Sequence, residues 1–260
     1  MYAMRKFILY FLLILLILSV GTFSYGIYNG KKIQSFAKKA SDIRAGHNFK
    51  SQIQEIENSF RDSGKKDVAA IREDTARLGE KLEEIVREAE TAKKESEELS
   101  APGVARETQN MMAEYFSKAG RQAADLKGIV SFMGEIVEVA SVFGEISESA
   151  NLEEMTNMIG KAKEKSAEMK TGNLPQDIEV NGKNLKYSMD AFLVKMEEMA
   201  SLKSQDSAQL DAAYADFSKN EEEFFTVSKK HIDDMENLGI IEKKIDSEIM
   251  RLGEIRFSLK

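Results

Sequence analysis

Apolar residues recur every third or fourth position along most of the chain, the spacing that gathers them on one face of an α-helix. The clearest run is Val68, Ile71, Thr75, Leu78, Leu82, Ile85, Ala89, Ala92, Ser96 and Leu99, a sustained heptad seam. Upstream, Phe49, Ile53, Ile56 and Phe60 make a second run, and Ile33, Phe36, Ala40 and Ile43 a third. The phase slips at Gly46 and Gly64, which mark either turns or kinks. Ser100-Ala101-Pro102-Gly103 ends this first arm, because Pro102 drives the residue before it out of helix.

A second arm keeps the same step through Met112, Tyr115, Ala119, Gln122, Leu126, Ile129, Met133, Ile136, Ala140 and Phe143. Asn151 with Glu154 three residues on has the form of an N-cap, predicting a kink or a new helix there. Residues 172–182 read as a loop, with Pro175 and Asn181-Gly182 as turn signals. The third arm starts near Lys183 with Leu185, Met189, Phe192, Met196 and Met199. Its seam goes on through Leu210, Tyr214, Phe217, Phe224, His231, Met235, Leu238, Ile245, Ile249, Leu252 and Leu259. It crosses SLKSQDS at 201–207 without a clear change of phase, so that stretch is a soft point.

The expected fold is all-α. An N-terminal transmembrane helix is followed by an elongated antiparallel helical bundle or coiled coil over residues 31–260. Its three arms span about 31–99, 103–171 and 183–260, and glycine turns would break them into four or five helices.

The transmembrane expectation rests on residues 7–30, which carry no charge and exceed the ~20 residues needed to cross hydrocarbon. A basic tail, residues 1–6, precedes them with Arg5 and Lys6. The apolar run is too long for a signal-peptide core and lacks a small-residue cleavage site, so an uncleaved anchor is expected. Lys31, Lys32, Lys38, Lys39 and Arg44 follow it. By basic-residue count the body would lie in the cytoplasm. The short basic start ahead of an apolar run favours export, and the bulk of the chain is expected outside the cytoplasm.

A second apolar stretch, GIVSFMGEIVEVASVFGEI at 128–146, has eleven apolar residues but also Glu135, Glu138 and Glu145. On a helix the glutamates share one stripe and the apolar residues fill a wide arc. Three glutamates in lipid would cost ~2.5 kcal/mol or more each. The stretch is therefore a core helix covered by two neighbours.

Composition fits this picture, with two prolines and neither tryptophan nor cysteine. The formal charge of −7 hides an asymmetry. Residues 1–50 hold eight Lys/Arg against Asp42 alone, +7, so the other 210 residues carry −14. A basic base suits lipid headgroups, and an acidic body excludes nucleic acid as a partner.

Catalytic and ligand motifs are missing. Without cysteine there is no thiolate zinc site or cysteine nucleophile, and no Gly-rich phosphate loop occurs. The two histidines, His47 and His231, lack the Glu-x-x-His spacing of a di-iron bundle. No cofactor or metal is expected. His231 falls on the third seam and reads as a packed or hydrogen-bonded histidine, with a pH sensor as the alternative; His47, beside Gly46, reads as exposed. The methionines sit at seam spacing and read as core filling. Lys31, Lys32, Lys38 and Lys39 are the candidate membrane-surface contacts.

Two functions follow as expectations. One is a non-enzymatic structural, tethering or protein-interaction scaffold, held by one membrane helix and binding a protein partner or itself through its helices. The other is a sensory ectodomain with a separate transducer. The order of anchor then bundle resembles the front half of a bacterial chemoreceptor, and the layout of LemA-type proteins. Those likenesses are of layout and imply a helical domain beside a membrane.

Overall fold

The computed structural model describes residues 27–62, 68–144, 152–201 and 207–255. These are helical apart from short turns, with no strand among the described residues. The first arm divides into α1 (27–46), α2 (Phe49–Asp62) and α3 (Val68–Glu98). The second divides into α4 (Arg106–Gly144), entered through a 3-10 turn at Gly103–Ala105, and α5 (Leu152–Glu168). The third divides into α6 (Glu179–Ala200), α7 (Ser207–Asp234) and α8 (Leu238–Gly253).

The break at Gly46 is a turn: His47 and Asn48 leave the helix. Gly64 and Asn151 lie outside the described residues. At the soft point, α6 closes with the Ser201 N–H donating to Glu197 O at 2.9 Å.

Two boundaries differ from expectation. The loop of 172–182 ends earlier, because Pro175 O accepts from the N–H groups of both Ile178 and Glu179 at 2.9 Å and starts α6 there. Asn181-Gly182 is thus helical, not a turn. Gly182 serves packing instead: a Cβ there would collide with the Leu174 side chain and touch the Phe132 ring at 3.7 Å. The second difference is the break between α7 and α8, where the seam itself runs on. Asn237 supplies it, its Oδ1 accepting from the Gly239 N–H at 2.9 Å as an N-cap.

The chain forms two compact units. The first takes the described part of Met1–Asn48, then Ala89–Lys118, then the described part of Asn237–Lys260. Ile33, Phe36, Ala37 and Ala40 of α1 are buried, as are Leu238, Ile245, Ile249 and Leu252 of α8. The two helices come close, with a Cβ at Gly253 standing 4.0 Å from that of Ala37. Gln109 of α4 closes the α3–α4 turn. Its Nε2 lies 2.9, 3.0 and 2.7 Å from the carbonyls of Ser96, Glu97 and Leu99, its two hydrogens shared among the acceptors at the end of α3.

The second unit takes Phe49–Glu88 and Ala119–Glu236. Within it α3 runs antiparallel to α4, and α4 to α5. Gly134 of α4 faces Thr75 of α3, and further along Lys127 reaches Glu83 at 3.2 Å. Glu138 and Glu135 of α4 meet Lys165 and Lys170 across the turn to α5. The α6–α7 pair stacks Phe192 on Phe217, ring centroids 6.0 Å apart. The described part of the 128–146 stretch therefore lies in the middle of a bundle, as expected, with Phe132 against Phe224 of α7 at 5.1 Å.

Its seam drifts, however. Ala140 is exposed, and Val139 and Val142 are buried instead. A straight helix turns against a strict seven-residue repeat by ~20° per heptad. Neighbours on several sides of α4 then select different residues along its length. Tyr214, expected on the third seam, is likewise 56% exposed.

Among the described residues no helix is long and apolar enough to cross a membrane. Residues 7–26 of the expected anchor lie outside the described residues. Residues 27–30 are the first described turn of α1, which continues without a break into the basic stretch.

Candidate functional site

The four lysines singled out in the sequence all lie on α1. At about 100° per residue, Lys31 and Lys38 share one stripe and Lys32 and Lys39 the next. All four are exposed, while Ile33, Phe36, Ala37 and Ala40 occupy the opposite, buried side. Alternation of lysine pairs with apolar positions at helical spacing produces this division. Lys32 Nζ stands 4.4 Å from the centroid of the Tyr28 ring, a cation–π contact at the start of the face. Lys39 is differently placed: it lines a shallow groove of about 340 Å³ with Asp42, Glu95 and Glu98. Lys39 thus stands among acidic neighbours, while Lys31, Lys32 and Lys38 are exposed on the same helix.

Further along α1, Arg44 pairs with Glu242 and, at 3.4 Å through Nε, with Asp246, both on α8. Its guanidinium also lies 5.5 Å from the Tyr115 ring centroid. The Arg44 and Glu242 side chains are only 12% and 14% exposed, so this is a nearly buried pair that pins α1 to α8. His47 is half-buried rather than exposed, its ring edge-on to Phe116 at 6.0 Å. The turn that carries it folds back: His47 O accepts from Arg44 Nη1 at 3.1 Å.

His231, in the second unit, is hydrogen-bonded as the seam position suggested. Its Nδ1 is 2.8 Å from Asp177 Oδ2 and its Nε2 is 3.7 Å from Asp125 Oδ2. The imidazole thus links the α5–α6 loop to α7 and faces α4. Burial pushes the Asp125 carboxyl above its ordinary range, and Asp177 adds to this, while His231 opposes it. Ser228, one turn before His231, is fully buried. Among the described residues no group of three or more His, Cys, Asp or Glu side chains is arranged to hold a metal ion.

The glutamates of α4 find partners that sequence reasoning did not supply. Glu138 is gripped by Arg72 of α3 and by Lys165 of α5 at 2.6 Å. Glu135 accepts from the Lys170 backbone N–H at 2.8 Å. Burial raises the Glu135 carboxyl, and the Lys170 N–H works against it. These partners are 27 to 66 residues away along the chain, beyond any local spacing rule.

The arrangement offers charged surface and helix-to-helix ties. Comparison with known proteins adds no assignment: no family model, no curated protein and no solved structure matches the chain.

Proposed function

We propose that the chain is a single-pass membrane-anchored helical bundle that acts as a scaffold, holding a protein partner or a further copy of itself beside a bilayer. The anchor is residues 7–30. The observation that carries the reading is the exposed face of Lys31, Lys32 and Lys38, on the helix that directly follows the uncharged run. Lysines at that position meet anionic headgroups at ~1 kcal/mol each. The bulk of the chain lies outside the cytoplasm on this reading.

Two fractionations test it. The full chain is expected to stay in the membrane pellet after alkaline carbonate, and a chain beginning at Lys31 to be released. Recovery of the full chain in the supernatant would overturn the anchor. For orientation, Ser100→Cys adds a thiol at an exposed site of a chain that has none. Labelling by a membrane-impermeant maleimide is expected in intact cells; labelling only after lysis would place the bundle in the cytoplasm.

A further inference from the structure

Three segments of the second unit meet at His231 of α7. Asp177 comes from the α5–α6 loop and Asp125 from α4, and the ring lies between their carboxylates. An ionised carboxylate only accepts hydrogen bonds, so the 2.8 Å contact of Nδ1 with Asp177 Oδ2 places a hydrogen on Nδ1. In the neutral ring Nε2 is then an acceptor. It is closed to solvent and has no hydrogen-bond partner among the described residues. What faces it is a second acceptor, Asp125 Oδ2, at 3.7 Å. Two acceptors turned towards each other leave a buried lone pair unsatisfied, and one proton between them removes that cost.

We propose that this site is a proton-operated clasp: a proton taken up from solvent between His231 Nε2 and Asp125 Oδ2 ties the α5–α6 loop and α7 to α4, and its loss frees the loop. On the ring or on the carboxyl, the proton belongs to the pair, and either placement sets a donor against an acceptor. A charge-assisted bond of this kind closes to about 2.8 Å. The loop is built to respond. Its Asn173 carbonyl presses on α4 at Gly128, three residues beyond Asp125, and its Leu174 is buried against Gly182. The charges around the ring come from each side. Burial raises the Asp125 carboxyl and Asp177 adds to this, while His231 and Arg121 oppose it. Lys127 of α4 is engaged by Glu83 at 3.2 Å, and Glu179 of α6 by Lys183 at 2.5 Å. On α7 itself Lys230 and Asp234 are exposed. A carboxyl raised in the fold holds its proton more tightly there than in the unfolded chain. The clasp is therefore strongest in acid and weakens as pH rises through the folded value. It lies wholly within the second unit and needs no anchor.

Amide hydrogen exchange of the full chain in detergent reads the clasp at about pH 5 and about pH 8, the span over which histidine changes charge. The Leu174 and Ile178 amides report the loop, since they donate to Thr171 O at 3.1 Å and Pro175 O at 2.9 Å. After correction for the intrinsic pH dependence of exchange, both are expected to be several-fold better protected at the lower pH. The Ala105 amide, bonded to Pro102 O at 2.8 Å in the first unit, is the internal control and should not change. Asp125→Asn offers Nε2 a permanent N–H in place of the proton, so its loop should be protected at both pH values. Equal loop protection at both pH values in the parent chain would overturn the clasp, and that outcome requires no variant to fold. An Asp125→Asn loop that keeps the parent's pH dependence, or a change of the same size at Ala105, would overturn it as well.

Discussion

Lys165 Nζ lies 2.6 Å from Glu138 Oε2, tying α5 to α4 inside the second unit. That hydrogen bond is the main reason the Glu138 carboxyl sits below its usual range, with Arg72 adding to it. A depressed acid stabilises the fold above its unfolded pKa of about 4.3 and loses that contribution as pH falls through the lower folded value. Glu138→Gln should cost about 1 kcal/mol at neutral pH and almost nothing near pH ~2. Urea midpoints at the two pH values check this; equal losses at both would sink the electrostatic account.

Glu221 on α7 should behave in the opposite sense. Burial raises its carboxyl pKa, so the folded state holds the proton more tightly than the unfolded one. Its charged form then works against folding at neutral pH, and the penalty fades as pH falls through the raised folded value. Glu221→Gln is expected to stabilise by roughly 0.5 kcal/mol at pH 7 and to be neutral below about pH 4. A destabilised variant at neutral pH would contradict the argument.

Arg44 holds α1 to α8 from a site that is almost closed to water. Removing it strands Glu242 as a buried charge without its main partner, a loss of about 3 kcal/mol. Arg44→Ala should show that cost in chemical denaturation. Adding Glu242→Gln should recover part of it, because the stranded charge is gone; a strictly additive double variant would argue against the coupling.

Glycines separate packing from propensity. A Cβ at Gly128 would strike the backbone carbonyl of Asn173, and its carbonyl carbon lies only 3.0 Å away. Backbone cannot swing aside as a side chain does, so Gly128→Ala should cost about 2–3 kcal/mol. Gly160, inside α5, has nothing within 4 Å. Gly160→Ala should gain up to ~1 kcal/mol from helix propensity. Melting curves of both decide it, and a like response would refute the distinction.

The inner seams were legible where one helix faces one neighbour. From Leu78 to Ser96 the three-four step of α3 names the buried residues without a miss. It fails on α4 past Met133, where neighbours on several sides replace a single facing seam. Helix ends were less legible, since Asn237 breaks the chain inside an unbroken pattern and Asn181-Gly182 looks like a turn within α6. In the first case a side-chain cap overrides periodicity; in the second a glycine is required by the approach of Leu174. The basic face of α1 could be read from spacing, but the acids beside Lys39 could not, because Glu95 and Glu98 arrive from another helix.

The first unit is built from three stretches, the last beginning at Asn237. Gln34 Nε2 of α1 donates to Ile255 O at 3.2 Å, a contact spanning 221 positions. During synthesis, every residue of the second unit emerges from the ribosome before α8 does. The helix that follows the hydrophobic run is therefore made well before α8, and its contacts with α8 wait until α8 has been synthesised. Closing so long a loop carries an entropic cost that grows only slowly with length, so the delay is set by the pace of translation rather than by the search.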